Sequence, residues 1–248
     1  MWSVIKKILH GDNKQIDELR IRSESGDMDA LCELGLCYQS GNGVAKNPEK
    51  AASFFRIAAE AGHARAQCCF GDCYSQGNGV PVDHEQAVYW YRQSAEKQNA
   101  VAQFRLGLCY YLGDGVPKNI DLAVEWYQRA AEKGYPPAEF NLGACYAGGE
   151  GIAKDMKRAA AWYQKAAEHG NGDAQYNLGG CYILGEGVKR DFIKAYMWFD
   201  LAAAQGIRDA AQRRDMLSEQ LMTREQLREA KRLAAAFAPL NDWVALNY

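Results

Sequence analysis

Cysteine is the residue of this 248-residue chain whose number and spacing could support the most chemistry. Eight cysteines could hold disulfides, a metal ion or a redox centre. One cysteine position recurs every 36 residues, at Cys37, Cys73, Cys109, Cys145 and Cys181. A second position is shared by Cys32 and Cys68, and Cys69 lies on the same helix face as Cys73.

The regular cysteines predict packing rather than chemistry. Equivalent positions in stacked helical units lie about 8 to 10 Å apart, whereas a disulfide needs Cα atoms within about 7 Å. We therefore expect eight free thiols. A zinc site needs about four ligands, and His63 is the only histidine near Cys68 and Cys69 in the sequence. The pattern predicts no metal site and no cofactor, although a thiol-based redox or metal-responsive protein stays open as an alternative function.

The histidines and glycines give no catalytic motif. The four histidines, His10, His63, His84 and His169, are scattered. The repeated GxG segments follow helical patterns instead of strands, so they do not form a dinucleotide-binding fingerprint, and the P-loop, HExxH and GxSxG motifs are absent. We predict that the chain is not an enzyme.

Composition and charge exclude several classes of protein. The 38 alanines and single threonine favour helix over strand, because alanine loses no side-chain entropy in a helix. A net charge of −2 gives no field suited to nonspecific nucleic-acid binding. No apolar run reaches the roughly 18 to 20 residues of a membrane span, and the start has no signal-peptide pattern. We expect a cytoplasmic, all-helical protein.

A 36-residue period organises the whole chain. It is marked by six alanines from Ala30 to Ala210 and by an aromatic series from Phe54 to Trp198, with no insertion. A period of this length indicates a solenoid, in which each unit buries its apolar face against its neighbours. The sequence predicts an all-α solenoid of five helix-hairpin repeats at residues 27–209. Helical caps occupy residues 1–26 and 210–248, and the whole forms one continuous domain.

Each repeat predicts two helices with defined ends. In the first repeat, Ala30, Leu34 and Tyr38 form one helical stripe, and the GNGV segment then stops the helix. An Asn or Asp recurs as the expected cap of the second helix, at Asn47, Asp83, Asn119, Asp155 and Asp191.

The two ends of the array depart from the repeat. Before the first repeat, most of the expected packing face is polar, at Gln15, Glu18, Arg22 and Ser23, with Leu19 as the exception. After Ala210, a capping box at Thr223 and Gln226 begins a helix that could seal the last repeat. A polar outer face is typical of a terminal repeat.

The consensus A-x-x-x-L-G-x-C-Y-x-x-G-x-G-V, a capping Asn or Asp, then A-x-x-W-Y-x-x-A-A-x-x-G, resembles the Sel-one-like repeat family. The resemblance implies a right-handed superhelix related to tetratricopeptide repeats. It also implies an adaptor or scaffold that holds a protein partner, in bacterial signalling, secretion or neutralisation of a toxin or effector. A cysteine-rich branch, reported to act on penicillins, bridges its paired helices with two cysteines per repeat. The regular cysteine here lies only on the first helix, so a hydrolase of that branch remains an alternative.

A second face of the first helices is the predicted binding surface. The 100° helical step groups residues 32, 36 and 39, which line the concave groove in tetratricopeptide-like stacks. The candidate partner-binding residues are Leu36, Gln39, Asp72, Phe104, Leu108, Tyr111, Phe140, Tyr176 and Ile183. Apolar and aromatic residues favour a peptide or helical segment of a protein partner. The alternative is that Phe104, Phe140 and Tyr176 pack between repeats.

The two termini carry further apolar residues. A short stripe of Trp2, Ile5, Ile8 and Leu9 could pack as part of the cap or touch a membrane. The tail 241–248 contains Trp243, Leu246 and Tyr248 and could be a docked end or an interaction motif.

Overall fold

The computed structural model describes residues 14–240, which form two compact units, residues 14–118 and residues 119–240. All regular structure within this range is helical, as predicted. The first unit contains α1 (Lys14–Glu24), α2 (Met28–Ser40), α3 (Pro48–Glu60), α4 (Ala64–Gln76), α5 (His84–Glu96) and α6 (Ala100–Leu112). The second unit contains α7 (Ile120–Ala131), α8 (Pro136–Gly148), α9 (Met156–Glu168), α10 (Gly172–Leu184), α11 (Phe192–Ala204), α12 (Arg208–Gln220) and α13 (Arg224–Ala236). The apolar stripe at the start and the tail 241–248 lie outside the described residues.

The second helix of each repeat begins where the sequence predicts. The side-chain oxygen of Asn47 accepts a hydrogen bond from the amide of Lys50 at 2.8 Å, and Asp83 accepts from Gln86 at 3.0 Å. The same cap begins the remaining second helices, at Asn119, Asp155 and Asp191. Each such cap is worth about 1 kcal/mol of stability, so the period in the sequence directly sets the helix starts.

Glycines on the first helix of a repeat pack against an aromatic ring of the second helix. A Cβ added at Gly71 would lie 2.7 Å from the ring of Tyr91, and one at Gly179 would lie 2.9 Å from the ring of Phe199. These rings are buried, as is Phe55 in the first repeat. In these repeats an aromatic ring packs against a glycine, which explains why both positions recur.

Successive repeats meet through a loop glycine. A Cβ added at Gly79 would overlap the carbonyl oxygen of Pro48, in the first turn of the preceding second helix. The same close approach recurs between Gly115 and His84, and between Gly187 and Met156. These glycines also have positive φ. Only glycine satisfies both the backbone conformation and the close contact.

The helices at the two ends of the described chain pack by apolar contacts. Ile16 and Leu19 of α1 are buried against Ala30 and Leu34. The prediction of a mostly polar packing face for this segment is wrong, because the helix turns Ile16 inward and leaves Glu18 exposed.

The capping box at Thr223 and Gln226 is confirmed. The helix that it begins, α13, places Phe237 against Trp198, with ring centroids 5.4 Å apart. This contact covers the last aromatic residue of the repeated series.

Gln98 stands where other repeats end the second helix with glycine. It has φ 67° and is the one non-glycine residue with positive φ among residues 14–240. The left-handed conformation costs an L-residue about 1 to 2 kcal/mol, and the greater chain entropy of glycine offsets part of any gain. Gln98→Gly is expected to raise the free energy of unfolding by about 0.5 to 1 kcal/mol in urea titrations.

The control for this prediction is Gln128→Gly, at an exposed position inside α7. Its φ is helical, so the same chemical change should lower stability by about 1 kcal/mol. A loss of stability for Gln98→Gly comparable with that of the control would contradict the account.

Candidate protein-binding surface

The first-helix face is the side of α2, α4 and α6 in the first unit, and of α8 and α10 in the second, that carries the nine predicted binding residues. The structure leaves eight of the nine predicted binding residues partly exposed, namely Leu36, Gln39, Asp72, Leu108, Tyr111, Phe140, Tyr176 and Ile183. Phe104 differs, because only 8% of it is exposed. Inter-helix packing therefore accounts for Phe104.

In the first unit, the carboxylate of Asp72 on this face has its binding partners within the protein. The hydroxyl of Tyr91 donates a hydrogen bond to Asp72 at 2.7 Å, and Arg105 Nε lies 3.1 Å from the same carboxylate oxygen. Burial raises the pKa of Asp72, while Arg105 and Tyr91 act in the opposite direction. Asp72 thus joins α4, α5 and α6 in addition to any contact with a partner.

The apolar residues on the first-helix face of the first unit lie apart from one another. Leu36 packs against the core cluster of the first two repeats. Tyr111 has the ammonium of Lys118 at 5.5 Å from its ring centroid. Leu112, at the end of α6, is 60% exposed. This part of the surface is a set of separate apolar contacts.

In the second unit, the face contains a cleft of about 290 Å³. The residues that line it are mainly apolar or aromatic: Ala147, Met156, Tyr163, Tyr176, Asn177, Gly180, Cys181, Leu184, Glu186, Phe199 and Arg213. Tyr176 and Phe199 pack with ring centroids 5.6 Å apart, which gives the cleft a fixed aromatic wall. Leu184, on the rim, is 65% exposed.

The cleft exists because of Gly180. The equivalent positions in the other repeats hold larger side chains, Leu36, Asp72, Leu108 and Ala144. A Cβ added at Gly180 would meet nothing within 4 Å, although the residue has ordinary helical backbone. The space that Leu36 and Leu108 take up in their own repeats is therefore open in this one.

Polar groups border the cleft. Arg213 Nε donates a hydrogen bond to the hydroxyl of Tyr176 at 2.7 Å, which links α12 to α10. Asn177 and Glu186 add an amide and a carboxylate. An apolar floor with a few polar groups at the rim is the usual composition of a site that receives a side chain of a partner or a small ligand.

Sequence reasoning placed Tyr176 and Gly180 on the first-helix face but proposed only Tyr176 as a binding residue, and it missed Leu184 and Arg213. The missing side chain could have been predicted from the repeat alignment, because position 180 is glycine where positions 36 and 108 are leucine. Arg213 lies beyond the regular repeats, so the period gives no signal for it. Ile183, although partly exposed, is not among the residues that line the cleft.

The cysteines, which the sequence analysis considered for chemistry, are mostly buried packing residues. All eight cysteines are free thiols, as predicted. Burial raises the pKa of Cys73 to about 12, and those of Cys109, Cys145 and Cys181 to about 11. Such thiols are protonated and poorly nucleophilic at neutral pH.

Two of the histidines bind carboxylates. His63 Nε2 lies 2.8 Å from Asp29, and His169 Nδ1 lies 2.7 Å from the buried Glu139. Within residues 14–240, no three His, Cys, Asp or Glu side chains are grouped so that they could hold a metal ion. No helix in the same range is long and apolar enough to cross a membrane.

The repeats match one known family. The model of the Sel1 repeat matches five consecutive segments, residues 29–63, 64–99, 100–135, 136–171 and 172–207. The chain belongs to the Sel1 repeat family. Its five Sel1 repeats confirm the resemblance that the glycine pairs and the Trp/Tyr–Ala–Ala helix indicated.

Solved Sel1 repeat structures share the fold. A protective antigen of uropathogenic Escherichia coli is 34% identical over 88% of this chain, with a TM-score of 0.78, and the match covers 48% of that antigen. The chain thus spans about half the length of the antigen. A Sel1 repeat protein from Oxalobacter formigenes is 34% identical, with a TM-score of 0.71, over 82% of this chain and 84% of that one.

A more distant structure has the same fold. It is an immunity protein from Pseudomonas aeruginosa that is 21% identical, with a TM-score of 0.51, over 89% of this chain and 78% of that protein. No curated protein sequence matches the chain. The comparisons identify a Sel1 repeat scaffold, of a kind compatible with protein interaction.

Proposed function

We propose that this Sel1 repeat protein is a noncatalytic adaptor that binds a protein partner through its first-helix face. The main contact is the cleft at Gly180, which receives one large apolar side chain of the partner. Leu36, Gln39, Leu108 and Tyr111 are the proposed binding residues of the first unit, and Phe140 and Ile183 are further proposed binding residues of the second unit.

The gap at Gly180 is the observation that supports this proposal. The cleft has a volume of about 290 Å³, and the rings of Tyr163, Tyr176 and Phe199 line it. Burying a large apolar side chain there would contribute about 1.5 to 3 kcal/mol. The exposed Leu184 and the polar rim would surround that anchor, as peripheral contacts surround the central residues of an interface.

A narrower form of the proposal makes the partner a bacterial toxin or effector that the chain neutralises. The Pseudomonas aeruginosa immunity protein has the same fold, but at 21% identity the likeness is one of fold alone. Cytoplasmic location belongs to this same proposal, because an adaptor that neutralises an internal toxin must meet it there.

Oxidative footprinting with a captured partner tests the proposed surface. The partner is isolated on the immobilised chain, identified and purified, and side-chain labelling is then compared with and without it. We expect labelling of Leu184 and Tyr176 to fall at least about threefold, since exclusion of solvent marks the centre of an interface. Ile57 and Tyr89 are the controls, because they are exposed on second helices. Unchanged labelling of Leu184, with protection of the second helices instead, would refute the proposal.

A further inference from the structure

A second cleft lies in the first unit, where α1 meets the loop between α2 and α3. It has a volume of about 810 Å³, and sites that hold small molecules have volumes of about 300 to 1,000 Å³. Its walls come from α1, from the end of α2, from the loop 41–47 and from the first turn of α3. None of the nine predicted binding residues lines it. The cleft is therefore separate from the surface proposed for the protein partner.

Three cations line this second cleft, each from a different wall. Arg20 lies on α1, Lys46 lies in the loop, and Lys50 lies on α3. Among the described residues, Asp17 is the one acid in the lining, and its carboxylate lies 3.0 Å from Nη1 of Arg20. Neither lysine forms an ion pair within residues 14–240. Positive charge in the lining therefore exceeds negative charge.

Two of the three cations are held in place by neighbouring side chains. The ammonium of Lys50 lies 5.4 Å from the ring centroid of Tyr38, which also lines the cleft. That ring stacks on Phe54, with centroids 5.6 Å apart. Asp17 holds one side of the Arg20 guanidinium, and 44% of the Arg20 side chain remains exposed. Both cations are thus positioned at the cleft and open to a ligand.

The full set of three cations occurs only in the first repeat. The positions of Arg20, Lys46 and Lys50 carry one cation in the second repeat and two in each later repeat. The equivalent sets are Arg56, Val82 and Gln86; Arg92, Lys118 and Leu122; Gln128, Lys154 and Arg158; and Gln164, Arg190 and Lys194. The helix hairpin forms without the complete set in these four repeats, so the period of the fold does not explain it.

We propose that this second cleft binds the diphosphate group of a small soluble ligand. The planar guanidinium of Arg20 has several N–H donors, and those not facing Asp17 can bind phosphate oxygens. The ammonium groups of Lys46 and Lys50 act as point charges on the second phosphate. A single phosphate would reach fewer of these cations, because they come from different walls. The proposal does not depend on the partner-binding proposal.

Isothermal titration calorimetry of the full chain at low ionic strength tests this site. The probes are pyrophosphate, ADP and orthophosphate. We expect one equivalent of pyrophosphate or ADP to bind at least about tenfold more tightly than orthophosphate, because the second phosphate adds charge-assisted contacts. A preference for ADP would identify the ligand as a nucleotide, and a preference for pyrophosphate would identify free diphosphate. Absence of saturable binding, or several equivalents bound per chain, would overturn the proposal.

Two double variants separate the site from a general effect of charge. Lys46→Gln/Lys50→Gln should weaken pyrophosphate binding at least about tenfold, because it removes two of the three cations. Lys154→Gln/Arg158→Gln removes two cations from the equivalent positions of the fourth repeat. It should leave binding within about twofold, because distant surface charges are screened. All four residues are exposed, so both variants should fold. Equal weakening by the two variants would refute the assignment of the site.

An acidic polypeptide is the rival ligand for the same cations. Hexaglutamate is titrated as its probe, and we expect it to bind at least about tenfold more weakly than pyrophosphate, because its charges are spread along a flexible chain. Binding of hexaglutamate as tight as that of pyrophosphate, with the same loss in Lys46→Gln/Lys50→Gln, would show that the cleft holds an acidic segment of a protein and would overturn the diphosphate proposal.

Discussion

Gly187→Ala is expected to lower the free energy of unfolding by about 3 kcal/mol, through two costs that add. The residue has φ +74°, a conformation that costs an alanine about 1 to 2 kcal/mol. A Cβ there would also overlap the carbonyl oxygen of Met156 and lie 3.0 Å from the amide nitrogen of Lys157. These are backbone atoms of α9, which cannot rotate away as a side chain could, and overpacking of this kind costs about 1 to 3 kcal/mol.

Gly206→Ala is the matched control for this prediction. Gly206 also lies in the second unit and has φ +89°, but a Cβ there would meet nothing within 4 Å. Its loss should be limited to the conformational cost of about 1 to 2 kcal/mol. Both variants are compared by urea unfolding followed by circular dichroism. Equal losses for the two would show that the contact between the loop and the preceding helix contributes little to stability.

The contact tested in this way explains much of the sequence pattern. The second loop glycine recurs because each repeat rests its loop on the first turn of the preceding second helix, as at Gly79 and Pro48. In a repeat array, the stability is approximately a sum of such nearest-neighbour terms. A defect at one contact should therefore destabilise the repeats beside it most.

The parts of the fold that local rules determine could be predicted from the sequence. The starts of the second helices follow from Asn47 and its equivalents, because a capping oxygen needs only the amides of its own first turn. The exception at Gln98 was visible as a break in the period. Its positive φ follows because its neighbours impose the turn that glycine makes elsewhere.

The parts that depend on packing could not be predicted in the same way. Phe104 shares a helix face with Leu108, but its depth depends on how closely neighbouring helices approach. The inward turn of Ile16 depends on the side of α1 that meets α2.

The cleft at Gly180 could not be predicted from the sequence for a related reason. A missing side chain leaves a space only when no neighbour fills it, and the neighbours here are Tyr176, Phe199 and Arg213. The sequence places Gly180 on the first-helix face, but the open volume depends on the rotamers of those three residues. The central claim, that the partner inserts an apolar side chain at this gap, therefore rests on the structure.

Gly180→Leu should abolish most of the partner binding without harming the fold. Leucine is the residue of the first and third repeats at this position, and the space around Gly180 accepts a side chain. Leucine is also the better helix former, so the free energy of unfolding should rise by about 0.5 to 1 kcal/mol. Filling the cleft should remove the anchor contact of about 2 kcal/mol or more, which corresponds to a rise of at least about thirtyfold in the dissociation constant.

Gly148→Leu controls for the chemical change itself. Gly148 is an exposed residue at the end of α8, and it does not line the cleft. The added leucine should leave partner binding within about twofold of the unaltered chain, because substitutions outside the central anchor cost little. This variant also reports any nonspecific effect of an extra apolar side chain on the surface.

The most direct measurement is the dissociation constant of the purified partner for the unaltered chain, Gly180→Leu and Gly148→Leu, by isothermal titration calorimetry. We predict that Gly180→Leu alone weakens binding by at least about thirtyfold while its unfolding midpoint is kept or raised. Undiminished binding by a folded Gly180→Leu protein would contradict the assignment of this cleft as the site where the partner is held.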